Sequence, residues 1–386
     1  MNETRCDVAI IGGGPVGAAL ALALQGNDLN VVLLEARETE INSTDPRALA
    51  LSYGTRLLLQ RLGAWSTLHN VSGIKTIEIT QKRSMGHATL FADEMKVSDL
   101  GYVLPYTTLH AALQLSLRKS DVTCLYGAAV SDLTNTNESA VLSYQHQGQT
   151  HTLSARLAVV ADGGKLLEAT HPPQIQDYGQ SAIIAHITSS QPRNSMAFEH
   201  FTEQGPMALL PYLDGYELVL TASHDAAQQM LQWDDASFLQ YLHEHFGDRV
   251  GTFIGIGKRS CYPLRLKRAP DITMPHTVLI GNAAQTLHPV AGQGFNMGIR
   301  DAWELAQAIL DSAPDNIGSA AMCAAYRKSR RIDRNAGIRF TDGLVRLFSN
   351  DIPLLGHVRS AALTLLDNIP LAKKFVAKRM MFGANG

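Results

Sequence analysis

The feature that most constrains this chain is an apolar run that ends abruptly in glycines. Val8-Ala9-Ile10-Ile11 leads straight into Gly12-Gly13-Gly14-Pro15-Val16-Gly17, and Ala18 to Leu24 then reads as helix. Strand, tight turn and helix in that order open a nucleotide-binding α/β unit. Gly12 allows the turn, Gly14 lets the backbone approach a pyrophosphate, and Gly17 lets helix pack on strand, while the helix N-terminus offers unpaired N–H groups to phosphate. Val31-Val32-Leu33-Leu34 reads as the second strand, with Glu35 at its end. An acid about 20 residues past the glycines accepts from a ribose 2′-OH and repels a 2′-phosphate, which favours FAD or NAD over NADP.

A second glycine segment lies far downstream. Thr277-Val278-Leu279-Ile280 reads as a buried strand that runs into Gly281 and continues through His288-Pro289 and Gly292-Gln293-Gly294-Phe295-Asn296 to Asp301. Two such segments, separated by most of the chain, predict one extended cofactor bound by a fold that returns to it. FAD is the commonest ligand of that length. A third strand, Leu157-Ala158-Val159-Val160-Ala161, ends in Asp162-Gly163. Between these lie different patterns. Residues 73–97 and 178–265 carry short alternating runs, such as Ile183-Ile184-Ala185-His186-Ile187 and Tyr216-Glu217-Leu218-Val219-Leu220, broken by Pro and Gly turns, with one helix near Ser237 to His245. The expected architecture is therefore α/β: a Rossmann-like FAD domain assembled from 1–72, 98–177 and 266–345, an inserted, mainly antiparallel substrate domain from 73–97 and 178–265, and a helical C-terminal segment from 346–386.

Composition narrows the function classes. With 33 basic and 35 acidic side chains the net charge is -2, so no basic field argues for nucleic acid. Cys6, Cys124, Cys261 and Cys323 have no metal-ligand or disulfide spacing and suit reduced thiols. No metal site is expected. The N-terminal apolar run is too short for a signal peptide and no run reaches the ~18 apolar residues of a membrane span. The expectation is a cytoplasmic protein, with contact at the inner face of the cytoplasmic membrane left open. No Ser-His-Asp, paired-carboxylate or nucleophilic-cysteine arrangement is readable, so a bound flavin must do the covalent work.

The three segments, Gly12 to Gly17 with Glu35, Ala161-Asp162-Gly163, and Gly281 to Asp301, resemble in order and spacing the FAD motifs of the single-component aromatic hydroxylases, which have the para-hydroxybenzoate hydroxylase fold. Gly205-Pro206-Met207-Ala208-Leu209-Leu210-Pro211 and Gly292-Gln293-Gly294-Phe295-Asn296 are similar to the ubiquinone-biosynthesis branch. Most of that branch has Gly-Asp-Ala-Ala-His where this chain has Gly281-Asn282-Ala283-Ala284-Gln285, and Asn and Gln there resemble the 2-polyprenyl-6-methoxyphenol hydroxylase subgroup.

The resemblance implies a monooxygenase with FAD, NAD(P)H or another reductant, and O2, in which a flavin C4a-hydroperoxide passes oxygen to a polyprenylated phenol to give the 1,4-benzoquinol. It implies that Asp162, Asn282 and Asn296 belong to the cofactor site, with Asn282 accepting from the ribityl hydroxyls through its carbonyl. Pro289, Gly292 and Gly294 would position the isoalloxazine. The N–H groups of Gly294 and Phe295 would meet the negative charge that gathers at flavin N1 and the C2 carbonyl. Arg47 matches an arginine near the pyrophosphate, or is a surface residue; Tyr106 matches a polar side chain beside the ribityl chain, or simply packs. His288 belongs to the loop structure rather than to catalysis, and no catalytic base is assignable. Two alternatives remain open: a flavin-dependent isoprenoid reductase of the same fold, and a non-catalytic FAD-containing subunit of a biosynthetic complex.

Two late basic stretches complete the reading. Arg327, Lys328, Arg330, Arg331 and Arg334 are expected on a solvated helix face. Leu371 to Phe382 carries Lys373, Lys374, Lys378 and Arg379 among Phe375, Val376, Met380 and Met381. It either packs on the domain or meets a membrane or other ubiquinone-biosynthesis proteins.

Overall fold

The computed structural model describes residues 4–38, 45–82, 86–289, 292–348 and 353–385. Five parallel strands form the first layer. Thr4–Ile11 lies between Gln149–Val160 and Val31–Glu35; Thr277–Leu279 flanks the former and Thr123–Tyr126 the latter. Val8, Ala9 and Ile10 have no exposed surface, as strands covered on both faces require. The long strand Gln149–Val160 also pairs antiparallel with Ala140–His146, which pairs with Ala129–Asn135.

Helices α1 (Pro15–Leu24), α2 (Tyr53–Arg61), α3 (Tyr106–Leu117), α4 (His224–Leu231), α5 (Asp235–Phe246), α6 (Gln293–Leu310), α7 (Ala320–Phe348), α8 (Pro353–Asn368) and α9 (Pro370–Phe382) complete the frame. The region expected to hold one helix near Ser237 has two. Ser223 caps α4 and Asp234 caps α5 through side-chain oxygens, so both boundaries have local causes.

A nine-stranded sheet makes the second layer, with Thr76–Gln81 and His87–Phe91 added to the edge of Met196–Thr202. Its remaining strands run antiparallel through Gly205–Tyr212, Gly215–Ser223, Gln174–Ser189, Ser260–Arg268 and Gln285–Thr286, with Phe253–Ile256 also pairing with Gln174–Ser189. One face buries Phe198, Tyr216 and Leu218 with Phe238, Leu242 and Phe246 of α5. In a separate three-stranded sheet, Gly101–Pro105 pairs with Ala48–Ser52 on one side and Ser72–Ile74 on the other.

The basic cluster on α7 divides: Arg327, Lys328 and Arg331 are exposed, as expected, but Arg330 and Arg334 are buried. Arg330 is buried at 1% exposure between Asp301 and Asp333, and Arg334 donates to Gln285 and to the carbonyls of Ala269 and Ala284. Burial alone would raise the Asp333 pKa, but the Arg300 and Arg330 charges hold it down at about 2. The acids that neutralise these arginines come from α6 and from α7 itself. A charge pattern read along one segment misses the α6 partner, and buried charges persist only when paired.

Candidate active site

The carboxyl ends of the central strands finish at one level. Ile11 is in register with both Val160 and Leu34, and Val160 with Leu279, so the turns after all four strands open onto the same crevice. Open α/β sheets bind their ligands there. Each glycine of the first turn has a distinct cause. A Cβ on Gly17 would lie 2.0 Å from the Gly12 carbonyl oxygen, so α1 could not come this close to the turn with any larger residue. Gly12 sits at φ 106°, and a Cβ there would meet the Ala161 carbonyl at 2.8 Å. Gly14 has no protein atom within 4 Å of its would-be Cβ and lines the cavity. Its missing side chain leaves a cradle facing the first turn of α1, which has no side-chain cap on its N–H groups. A pyrophosphate fits that vacancy and those donors.

Glu35 accepts from the Gly13 N–H at 2.7 Å and from the backbone and Nε of Arg37, each at 2.9 Å. Burial alone would raise its pKa; the Arg37 charge and the backbone donors prevail and lower it, so the carboxylate is present at neutral pH. Gln114 of α3 donates to the Gly13 carbonyl at 2.9 Å and is itself held by the Tyr126 hydroxyl. Neither Arg37 nor Gln114 stood out in the sequence. A single arginine after a strand and a glutamine on a helix carry no signal until the fold brings them to the glycine turn.

The other predicted residues line the same cavity. Arg47 is paired with Asp45 at 2.8 Å and lies 5.7 Å over the Tyr262 ring. Tyr106 begins α3 and stacks on His110. Asp162 lines the wall too, but both its oxygens accept from its own turn, from the Gly164 and Leu166 N–H groups. Asn282 is an exposed residue on the cavity wall. Gln285, next to it in the motif, turns away into the buried ionic network, donating to Asp301 at 2.8 Å and accepting from Arg334 at 2.8 Å.

Gly292, at φ 60°, leads into α6, and Gly294 and Phe295 in its first turn line the cavity. Pro289 lines it as well; Val290 and Ala291 lie outside the described residues. Asn296 is 2% exposed, and its amide accepts from the Ser52 N–H at 2.8 Å and donates to the Ala50 and Gly292 carbonyls. It fastens the loop to the strand Ala48–Ser52. His288 is buried against the edge of Tyr178, and burial lowers its pKa to about 4, so it is neutral at pH 7.

These residues bound one end of a continuous cavity of about 1440 Å³. A site for one ligand spans roughly 300–1,000 Å³, so there is room for a cofactor and a second molecule. The far end is walled by Ile79, Phe201 and Val219 of the second sheet and by Leu344, Leu363 and Met380 of α7, α8 and α9. Among the described residues, every one that lines the cavity from those three helices is apolar.

A glycine cradle at a helix N-terminus, an anionic carboxylate at the second strand's end and a returning glycine loop define an FAD-dependent enzyme. The family described as "FAD binding domain" matches residues 5–336, and the chain belongs to it. Ubiquinone hydroxylase UbiL of Rhodospirillum rubrum is 31% identical, covering 97% of this chain and 89% of its own. The 3-demethoxyubiquinol 3-hydroxylase of Escherichia coli is 27% identical over 98% and 99%. Among solved structures, p-nitrophenol 4-monooxygenase PnpA of Pseudomonas putida superposes with a TM-score of 0.76 at 16% identity, covering 99% of each chain. The protein is a flavin-dependent monooxygenase of the para-hydroxybenzoate hydroxylase fold, using FAD and O2, with NAD(P)H or another reductant as electron donor.

Proposed function

We propose that the protein hydroxylates the ring of a polyprenylated phenol in ubiquinone biosynthesis, converting 2-polyprenyl-6-methoxyphenol to 2-polyprenyl-6-methoxy-1,4-benzoquinol. The observation that carries this reading is the apolar chamber continuing from the cofactor crevice between the second sheet and helices α7 to α9, which suits an isoprenoid tail. The names of the R. rubrum and E. coli relatives, a ubiquinone hydroxylase and a demethoxyubiquinol hydroxylase, support ring hydroxylation in ubiquinone biosynthesis, and Asn282 with Gln285 favours the methoxyphenol step.

When bound, FAD would activate O2 for transfer to the ring with electrons from NAD(P)H or another reductant. The chain's own residues bind and shield. Gly14 and the α1 N-terminus would hold the pyrophosphate and Glu35 would accept from the adenosine ribose, with Arg47 near the pyrophosphate and Tyr106 beside the ribityl chain. The N–H groups of Gly294 and Phe295 carry part of the roughly half-unit positive charge of a helix N-terminus and would stabilise an anionic ring edge of the flavin. The apolar walls exclude water, which otherwise diverts activated oxygen into unproductive decay.

The reading includes contact with a bilayer, since the substrate's tail is lipid-soluble. Leu365, Ile369, Leu371 and Phe375 are exposed on α8, the turn after it and α9, with Lys374 and Lys378 exposed alongside. Lys373 is not available for docking. It is buried against Asp367 at 3.0 Å, while Ala377 and Met381 pack with Leu90 and Leu100.

Incubating the FAD-loaded protein with NADPH, 18O2 and a short-prenyl 2-methoxyphenol tests the reaction. The product should be the para-dihydroxy compound carrying one labelled oxygen. NADPH oxidation without an oxygenated product would remove the reading, and saturation of a prenyl double bond would establish the reductase alternative.

A further inference from the structure

The chamber wall contains one group that the reaction above does not use. Across five strands of the second sheet, one row of residues faces the cavity: Ile79, Glu199, Ala208, Val219 and Ile184, each in register with the next. Four are hydrocarbon. Glu199 is the only charged residue that this sheet contributes to the lining among the described residues. Thr221 lines the chamber one row away, and its Oγ1 is buried with no partner there. Phe198 and His200, its neighbours along the strand, pack instead toward Tyr216 and Phe246.

We propose that Glu199 is the catalytic base of the hydroxylation, taking the proton of the substrate's phenol hydroxyl; the assignment rests on the phenol-hydroxylase reading. The proton moves from the phenol oxygen to the carboxylate as the ring carbon para to it forms its C–O bond and the O–O bond breaks. The proton on that ring carbon then passes to the oxygen expelled by the O–O cleavage, which ends as water, the electron pair restores aromaticity, and the carboxylic acid returns its proton to the first oxygen. Overall the phenol, O2, the hydride of NAD(P)H and one solvent proton give the dihydroxybenzene and water, and Glu199 is regenerated.

The environment suits the task. Burial alone raises the Glu199 carboxyl to about 8, nearer to a phenol's ordinary value of about 10 than a surface glutamate's of about 4.3. No charged neighbour contributes to that shift. Ile79 and Ala208 flank it in the sheet and the lining residues of α7, α8 and α9 are apolar; the other charged residues of the cavity are Glu35, Arg37, Arg47, Asp162 and Lys165. A carboxyl placed there for stability alone would be paired.

The test measures kcat/KM for the short-prenyl methoxyphenol from pH 6 to 9.5, with flavin content and phenol affinity determined on the oxidised, FAD-loaded protein. Wild type should show a limb that rises through about pH 8, because only the carboxylate accepts the proton. Glu199→Gln should keep its flavin, lose at least 100-fold in kcat/KM and lose that limb, since positioned acid–base groups contribute about 10²–10⁴-fold. Phenol affinity should rise with pH in wild type and stay flat in the variant. Retention of activity within threefold, with the limb in place, overturns the assignment and leaves the functional reading standing. Absence of phenol oxygenation by wild type overturns the reading itself. Should Glu199→Gln lose flavin, Glu199→Asp decides: a slower enzyme with a displaced limb supports the role, and an unchanged profile refutes it.

Discussion

The two ends of the cavity are built on opposite principles. At the cofactor end almost every polar group is committed: Glu35 to Gly13 and Arg37, Asp162 to its own turn, Asn296 to three backbone groups. At the far end the sheet and helices present hydrocarbon, the Thr221 hydroxyl and one carboxyl among the described residues. A charged, rigid ligand needs donors fixed in advance, because reorienting them on binding costs affinity. A flexible apolar tail needs only volume and dryness. The difference lies in tolerance: one end should respond sharply to small changes, the other gradually.

The sharpest test is at the glycine turn, where two substitutions should fail for different reasons. Gly14→Val projects into the cradle without touching protein, so flavin content should fall below about a tenth of wild type while apoprotein unfolding is unchanged. Gly17→Ala meets the Gly12 carbonyl and should destabilise the apoprotein by more than about 4 kcal/mol. Flavin titration and thermal unfolding separate the two; a Gly14→Val protein with full flavin would break the cofactor assignment of this loop.

A smaller effect is expected at the apolar end. Leu371 and Phe375 are 81% and 60% exposed, so replacing both with serine should leave stability and flavin content unaltered. Each such side chain buried in lipid contributes about 1.5–3 kcal/mol, which predicts at least a tenfold loss of binding to anionic vesicles. Activity on a soluble short-tailed phenol should not change. Deleting α9 is the wrong experiment, because Ala377 and Met381 are core. Unaltered vesicle binding by the double variant would put the docking face elsewhere.

The smallest effect concerns Asn282, the polar residue of the motif that faces the cavity. Asn282→Asp should retain FAD and lower its reduction potential by about 30 mV, equivalent to about 1.4 kcal/mol for two electrons. A rise in potential, or loss of flavin, would contradict a contact with the ribityl chain.

The same contrast explains what was legible in the sequence. Gly12 and Gly17 are forced by backbone approaching backbone, a constraint that one residue type satisfies, so they leave a pattern at fixed spacing. Their meeting with Asn282, Gly292 and Gly294 at one cavity follows from strand ends at a common register. Glu199 left no such mark. Phe198-Glu199-His200-Phe201 reads as an ordinary strand, and which of its faces meets a cavity depends on α5 and on strands elsewhere in the chain. Arg330 and Arg334 were misread for a related reason. Asp301 belongs to the recognised motif, but nothing local indicates that α7 folds back upon it. The C-terminal lysines divide likewise: Lys373 finds Asp367 on the preceding helix, while Lys374 and Lys378 stay in solvent.

The parallel sheet has a consequence for how the protein is made. Thr4–Ile11 pairs on one side with Val31–Glu35, which leaves the ribosome at once, but on the other with Gln149–Val160, and that strand waits for Thr277–Leu279. At roughly 5–20 residues per second, the first strand keeps an unpaired apolar edge for on the order of ten seconds, and the sheet closes only after most of the chain is synthesised. Such non-local pairing slows folding and exposes edges that aggregate. FAD, whose site includes Gly281 and Gly292 to Asn296, can therefore stabilise the protein only once most of the chain has been made.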